Sequence, residues 1–443
     1  MENREVDRLG EFLLHPSGKL YRYVVLAMAS LMMFGNYFAY DSVGAIETTL
    51  MKVFAADRSA IGSMYSVYSI AAFFAVALGG VLIDRIGTRR ASLLFSLLLT
   101  AGAGIVAAAP NLPALYFGRI LFGAGAESLA VAQSAILARW FAGKELALAF
   151  GVTLAVSRLG TLFTFNTEAL LAERFGFRTA LWAAVILCAA SLAANWLYAL
   201  LDRRAEPALK LHEPSAGDKI VVSDIRRFPA SYWYVTMLCV TFYSAIFPFT
   251  ALSTDFFHHK WGLSEATGEG LGFFSAVFYN LTHMFSTAQG TTSIIITASM
   301  CFAPFAGNLV DRIGRRASLM ILGALFMIPA HLAMGLTTLP PALPMIVLGA
   351  AFVLVPAAMW PSVPLVVEEK RVGTAYGLMT AVQNLGLLAF PFFNGELRDI
   401  THGYTASQIM FGGLGLAGLF FGILLWRADR REGGRLERGR SRS

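Results

Sequence analysis

Two residues of opposite charge, Glu127 and Arg158, lie inside long apolar stretches of the sequence. Each is about 13 residues from the start of a predicted helix, which places it near the middle of a bilayer at 1.5 Å per residue. A charge at that depth costs about 2.5–3.5 kcal/mol to insert, so both side chains are expected to face a polar interior. An arginine binds a carboxylate through two hydrogen bonds and a glutamate accepts from an ammonium, so the pair suits a small zwitterion. The alternative is an ion pair between the two residues that only joins helices.

A second arginine inside an apolar stretch, Arg119, begins the pattern RxxxG. We expect a structural or proton-relay role for it, and an ion pair with Asp41, which is predicted to lie at a similar depth. Contact between Asp41 and a substrate is the alternative. Tyr65 and Tyr68 are three residues apart and share one helix face. The side chains predicted to line a cavity are Tyr37, Tyr65, Tyr68, Tyr243, Trp360 and Gln383. Packing alone is the alternative role for each aromatic residue.

The composition excludes most classes of soluble protein. Of the 443 residues, 56% are apolar and 14% are charged, whereas about 25% are charged in an ordinary soluble domain. The sequence holds no GxxxxGK[ST] phosphate loop, no metal-binding cluster and no Ser/His/Asp hydrolase motif. The net charge of +7 fits loops facing an anionic cytoplasmic leaflet better than nucleic-acid binding. We therefore expect a membrane protein that is not an enzyme and uses no cofactor or metal.

Apolar runs separated by polar breaks predict twelve transmembrane helices. The predicted spans are 22–46, 61–82, 91–109, 114–138, 145–171, 179–201, 232–256, 289–310, 317–337, 342–367, 372–396 and 406–426. Most lysine and arginine residues fall in the segments on the side of the two termini, which places both termini in the cytoplasm. The predicted fold is an all-α membrane protein with two pseudo-symmetric bundles of six helices. Its predicted parts are an N-terminal bundle over 1–201, a cytoplasmic linker over 202–231, a C-terminal bundle over 232–427 and a basic cytoplasmic tail over 428–443.

One motif occurs at equivalent places in both halves. The pattern GxxxDRxG, followed by an arginine pair, spans residues 80–90 after the second predicted span and 307–316 after the eighth. Such a repeat indicates a duplicated six-helix unit. Glycines let helices approach closely, and charges at a wet boundary can form and break contacts, so we expect these loops to act in gating. The residues predicted for gating or structure are Gly80, Asp84, Arg85, Gly87, Arg89, Arg90, Gly307, Asp311, Arg312, Gly314, Arg315 and Arg316, together with Arg119 and Asp41.

A long outer segment, from about Phe257 to Ala288, separates the seventh and eighth predicted spans. Its apolar residues recur at helical spacing, which predicts a helix lying on the membrane surface. The alternative is an early start of the eighth span. Asn280 begins an N-glycosylation triplet, a pattern that also occurs often by chance.

The duplicated motif, the twelve spans and the RxxxG step resemble the major facilitator superfamily over nearly the whole chain. A narrower resemblance, to a family of lysosomal dipeptide uniporters, rests on segments in both halves. These segments are Phe34–Asp41, Gly118–Gly125, Gly143–Gly151, Ser157–Gly160, Phe247–Phe249 and Met359–Val367. The resemblance implies dipeptide transport by alternating access, with Glu127 and Arg158 at the positions of that family's substrate-binding acid and arginine.

That family works in the lysosomal membrane with an accessory glycoprotein. Here the position of the acidic residue in a sorting signal before Leu13 and Leu14 holds Leu9, and the alanine- and arginine-rich composition is typical of bacteria. We therefore expect a bacterial cell membrane, with the lysosome and the glycoprotein only for a eukaryotic protein. The first span lacks an ExxER pattern, which favours uniport. Two alternatives stay open: a proton-coupled carrier of organic anions, amino acids or drugs, and a membrane scaffold or sensor that transports nothing.

Overall fold

The computed structural model describes residues 15–16, 18–141, 145–207, 228–264, 270–368 and 371–438. Helices make up most of this part of the chain. In the first half they are α1 (Lys19–Ala45), α2 (Glu47–Phe54), α3 (Arg58–Ala108), α4 (Leu112–Phe141), α5 (Leu146–Phe175) and α6 (Phe177–Ala205). In the second half they are α7 (Ala230–Ala251), α8 (Ser253–Trp261), α9 (Phe273–Thr282), α10 (Ala288–Ile313), α11 (Arg316–Leu336), α12 (Ala342–Met359), α13 (Val363–Val366), α14 (Val372–Thr401) and α15 (Thr405–Arg431).

Eleven segments of the described helices are long and apolar enough to cross a membrane. α3 supplies two of them, since Gly87 (φ 80°, ψ 155°) breaks the helix in a conformation that glycine adopts readily. α10 has 26 residues and completes the twelve, although its first two turns are polar. The prediction of an all-α membrane protein with twelve helices is confirmed.

Proline divides the tenth predicted span. After α12 the chain forms a 3₁₀ turn at Trp360–Ser362 and then the short helix α13. Pro361 and Pro364 supply no backbone N–H, so two hydrogen bonds of a continuous α-helix are missing here. The seventh span is shorter than predicted for a different reason, because Leu252 leaves helical geometry and α8 begins directly after it.

The ends of two helices extend past the predicted bundle borders. α6 runs to Ala205 and α15 to Arg431, past the predicted borders at residues 201 and 427. Most of the predicted linker, residues 208–227, lies outside the described residues. The division into two bundles, a linker and a tail stays a prediction.

The outer segment between the seventh and eighth spans contains a separate helix, α9, so an early start of the eighth span is wrong. Phe274 and Phe278 are 86% and 68% exposed, as a helix lying on a membrane surface requires. Asn280 is buried on another face of α9. The acceptor side chain of the glycosylation triplet is therefore buried in this structure, although Thr282 of the triplet is exposed.

A buried carboxylate joins three helices at the inner side of the first half. Asp202 of α6 accepts hydrogen bonds from Arg139 Nη1 at 3.2 Å and from Trp140 Nε1 at 3.0 Å. Arg89 Nη1 of α3 lies 3.6 Å from the same carboxylate. These contacts fix α3, α4 and α6 to one another.

Candidate functional site

A narrow cavity lies between the two halves. Its lining residues are Asp41, Arg158, Thr161 and Phe165 from the first half, and Ile246, Phe247, Thr250, Ile295, Ile296 and Phe352 from the second. The Arg158 guanidinium lies over the Phe352 ring, 3.8 Å from its centre, so a cation and an aromatic ring from opposite halves meet here. Charged groups on an otherwise apolar wall are typical of a site for a small polar molecule.

Glu127 does not form an ion pair with Arg158, and both side chains are among those described. Its Oε1 instead accepts a hydrogen bond from Tyr68 Oη at 2.7 Å. The Tyr37 hydroxyl lies within electrostatic range of both Glu127 and Arg158. The alternative of a purely structural ion pair is therefore wrong for this conformation. Both charges stay available to a ligand.

Arg119 is buried among backbone carbonyls and aromatic rings. Its Nη1 donates to the Tyr40 carbonyl at 3.3 Å, and its Nε donates to the Met64 carbonyl at 3.4 Å. Four ring centres lie 5.0–5.4 Å from the guanidinium, those of Tyr40, Tyr65, Tyr68 and Phe122. The expected ion pair with Asp41 is not formed: the guanidinium contacts these carbonyls and rings instead, and its Nη2 has no hydrogen-bond partner among the described residues. Arg119 therefore joins α1, α3 and α4.

The predicted residues of the second half form a separate chain of contacts. Trp360 Nε1 donates to Tyr243 Oη at 3.1 Å, and the Tyr243 ring stacks on Phe247, which lines the cavity. Trp360 and Tyr243 thus support the cavity wall from behind. Gln383 accepts a hydrogen bond from the Cys239 thiol at 3.3 Å and is not one of the lining residues.

An ion-pair network that the sequence did not predict closes the outer side of the cavity. Asp255 of α8 accepts two hydrogen bonds from the Arg58 guanidinium, at 3.0 and 3.1 Å, and one from Tyr404 Oη at 2.6 Å. Arg398 Nε lies 3.5 Å from the same carboxylate, and Asp399 accepts from the Arg58 backbone N–H. Arg58 belongs to the first half and the other residues to the second. The network therefore holds the two halves together at their outer ends.

Glu47 of α2 adds a fully buried carboxylate to this network. Its Oε1 accepts from the Thr254 hydroxyl and the Asp255 backbone N–H, while its Oε2 has no partner among the described residues. Burial raises the pKa of Glu47 well above its ordinary value, and the Asp255 carboxylate raises it further. Burial acts in the same direction on Asp255, but hydrogen bonds from Arg58 and Tyr404 outweigh it and lower the pKa of Asp255. In the closed state Glu47 therefore binds its proton more tightly than an exposed glutamate does, and Asp255 binds its proton less tightly than an exposed aspartate does.

Acidifying the outer medium is expected to favour the closed outer side. Opening returns Glu47 to an exposed setting with a pKa of about 4.3, so closing takes up a proton. This stabilisation of the closed state is present at low pH and is lost as the pH rises through the raised pKa of Glu47. A cysteine placed at the cavity residue Thr250, in a Cys301→Ser background, should react faster from outside at higher pH with a membrane-impermeant thiol reagent.

Glu47→Gln is the matched control, because it keeps the shape and the acceptor for Thr254 but cannot titrate. The ratio of labelling rates, Glu47 protein over Glu47→Gln protein, should rise as the pH increases above the ordinary glutamate pKa of about 4.3. The ionisation of the introduced thiol cancels in this ratio. A ratio that stays constant with pH would show that Glu47 does not control closure.

Two glycines let the outer ends of α3 and α14 touch. A Cβ on Gly62 would lie 2.1 Å from the Pro391 carbonyl oxygen, and a Cβ on Gly395 would lie 2.3 Å from the Arg58 carbonyl oxygen. Only residues without a side chain permit this approach.

By contrast, no described atom lies within 4 Å of a Cβ built on Gly80. The predicted role of Gly80 in a close helix approach is wrong for this conformation.

Each duplicated loop contacts residues of its own half of the molecule in the part of the chain that the structure describes. Gly87 and Gly314 have positive φ angles of 80° and 68°, and each interrupts the helix that precedes it. Arg89 donates to Glu206 at 3.1 Å, and the backbone N–H of Arg316 donates to the C-terminal segment. The exposed loop arginines are Arg85, Arg90, Arg312 and Arg315. The side-chain surroundings of Asp84, Gly307 and Asp311 lie outside the described part of the chain. The gating role of these loops stays a prediction.

Comparison with known protein families gives a match over nearly the whole chain. The model of the Major Facilitator Superfamily matches residues 29–289 and 271–442. The lysosomal dipeptide transporter MFSD1 of Danio rerio is 31% identical over 434 residues, covering 95% of this chain and 90% of that protein. MFSD1 of Homo sapiens is 31% identical over 439 residues, covering 96% of this chain and 90% of that protein.

Solved structures show the same fold at low sequence identity. The crystal structure of a mutant of the peptide transporter POT, in complex with alafosfalin, matches with a TM-score of 0.70. Its sequence is 15% identical, and the match covers 93% of this chain and 96% of that one. The relatives and this neighbour are transporters, which agrees with the prediction that the chain is not an enzyme.

Proposed function

The chain belongs to the major facilitator superfamily and is a membrane transporter, and we propose that it carries dipeptides by uniport. The observation that carries the proposal is the cavity between the halves, in which Arg158 offers a cation near acidic groups. The similarity to the MFSD1 dipeptide transporters, at 31% identity over 95% of the chain, supports the same substrate class.

A dipeptide matches the charges around this cavity. Its carboxylate can form two parallel hydrogen bonds with the Arg158 guanidinium, which is already oriented by the Phe352 ring. Its ammonium can donate hydrogen bonds to Glu127, whose carboxylate is oriented by the Tyr68 hydroxyl. The two ends of an extended dipeptide lie about 7 Å apart, which is the spacing that its two binding groups must match.

Alternating access follows from the contacts at the outer side. The Arg58–Asp255 network and the close approach at Gly62 seal that side, so the substrate site is cut off from the outer medium in this structure. Breaking this network would open the cavity outwards. The proton that Glu47 takes up on closing returns to the same outer side on opening. Gating by Glu47 is therefore compatible with uniport.

The proposal is tested by uptake into liposomes that contain only the purified protein. Uptake of a labelled dipeptide should be inhibited by several unlabelled dipeptides and should stop at equal concentrations on the two sides. Transport of another solute, with no inhibition by any dipeptide, would refute the proposed substrate class. Accumulation above equilibrium in a pH gradient would instead support proton coupling.

The same assay examines the proposed partners and location. We infer a bacterial cell membrane from the composition, and transport that needs no accessory glycoprotein. Activity of the purified protein alone would agree with this inference. Activity that appears only after an accessory glycoprotein is added would contradict it.

A further inference from the structure

Asp41 of α1 lines the same cavity as Arg158 and has no ion-pair partner among the described residues. It is 6% exposed, and the neighbouring group within hydrogen-bond reach is the Thr161 hydroxyl. Arg119 donates to backbone carbonyls instead, and no described lysine or arginine forms an ion pair with Asp41. Arg158 lines the same cavity but forms no direct ion pair with Asp41, so a cationic group that enters this cavity can contact the Asp41 carboxylate.

The two acids near Arg158 lie at different depths. Arg119 reaches the carbonyl of Tyr40, the residue before Asp41. Glu127 follows Arg119 by eight residues on α4, which is about 12 Å further towards the inner side. Glu127 is half-buried beside Tyr68 and is not among the residues that line the closed cavity. With the outer side closed, the carboxylate inside the cavity is therefore that of Asp41.

We propose that Asp41 is a second ammonium-binding residue of the substrate site, acting while the outer side is closed. The assignment rests on the proposed function and adds to it. The substrate carboxylate lies on Arg158 and its ammonium on Asp41, while the apolar residues Phe165, Ile296 and Phe352 surround its side chains. Glu127 does not line the closed cavity, so it would accept hydrogen bonds from the ammonium in another conformation of the transporter.

Asp41→Asn tests the assignment through the substrate's amino group. Inhibition of labelled-dipeptide uptake is measured with dialanine and with N-acetyl-dialanine, which lacks the ammonium. Loss of a hydrogen bond to a charged group lowers affinity about tenfold or more. The preference for dialanine over its acetylated form should therefore fall about tenfold in Asp41→Asn. Asp57→Asn, outside the cavity at the N-cap of α3, should keep the wild-type preference.

The preference ratio separates binding from positioning. A residue that only orients Arg158 would weaken both compounds equally, and an unchanged ratio in Asp41→Asn would overturn the assignment. If Asp41→Asn does not fold, the same preference ratio is measured in Thr161→Val. This variant removes only the hydroxyl next to Asp41, at nearly constant volume. The ratio should then fall severalfold, and an unchanged ratio would again overturn the assignment. Wild-type protein that transports no dipeptide would refute the proposed function itself, whatever the variants show.

Discussion

Arg158→Lys is expected to lower dipeptide uptake, as kcat/KM, about 100-fold. Lysine keeps the positive charge, but it cannot form two parallel hydrogen bonds with a carboxylate or stack flat on an aromatic ring. Arg158 already lies over an aromatic ring in this structure, with its guanidinium 3.8 Å from the centre of the Phe352 ring. A loss of about 3 kcal/mol in substrate binding corresponds to this factor. Initial uptake rates over a range of dipeptide concentrations measure it.

Arg178→Lys is the matched control. Arg178 also lies over a phenylalanine ring, that of Phe177 at 5.6 Å, but it is exposed at the start of α6 and does not line the cavity. Uptake by this variant should stay within about twofold of wild type, as expected for a surface change. Equal activity of Arg158→Lys and wild type would remove Arg158 from the substrate site.

The membrane fold could be predicted because its signals are local. A run of about 20 apolar residues is enough to indicate a span, and the break in α3 lies at Gly87 of the repeated motif. The sequence was less informative about the tenth predicted span, which the structure divides into α12, a 3₁₀ turn and α13. Pro361 and Pro364 are visible in the sequence, but a proline can bend a membrane helix without ending it. Only the structure shows that α12 ends before them.

Residue type and depth predicted that Glu127 and Arg158 lie near the bilayer middle, but they did not identify their partners. Hydrogen bonding to Tyr68 depends on how α4 rotates against α3, and the contact with Phe352 depends on the opposite half of the molecule. Similar depth also suggested a pair between Arg119 and Asp41. That argument failed because depth along the membrane does not specify which backbone carbonyls and rings surround a side chain.

The outer network was missed for another reason. Charged residues such as Asp255 and Asp399 lie near the ends of spans, where charges are common and have no special meaning alone. Their role arises from contact with Arg58, which is 197 residues away from Asp255 in the sequence. The sequence does hold one signal of such a network, because both acids and arginines occur near the predicted outer ends of several spans.

Gly62→Ala is expected to abolish net transport by preventing closure of the outer side. The added Cβ would lie 2.1 Å from the Pro391 carbonyl oxygen and 2.7 Å from the carbonyl carbon. Both atoms belong to the backbone of α14, so no side-chain rotation relieves the overlap. The clash exists only when the halves meet, and each half is unaffected when they separate. The variant should therefore fold and remain open outwards, with Thr250→Cys reacting from outside at all pH values.

Gly104→Ala separates this effect from a general change in the helix. Gly104 lies on the same helix α3, and a Cβ there meets no described atom within 4 Å. Alanine also favours a helix over glycine by about 0.5–1 kcal/mol, and this gain is shared by both variants. Gly104→Ala should transport normally, so a loss in Gly62→Ala reports the contact with α14. Normal uptake by Gly62→Ala would mean that the outer ends of α3 and α14 need not touch during transport.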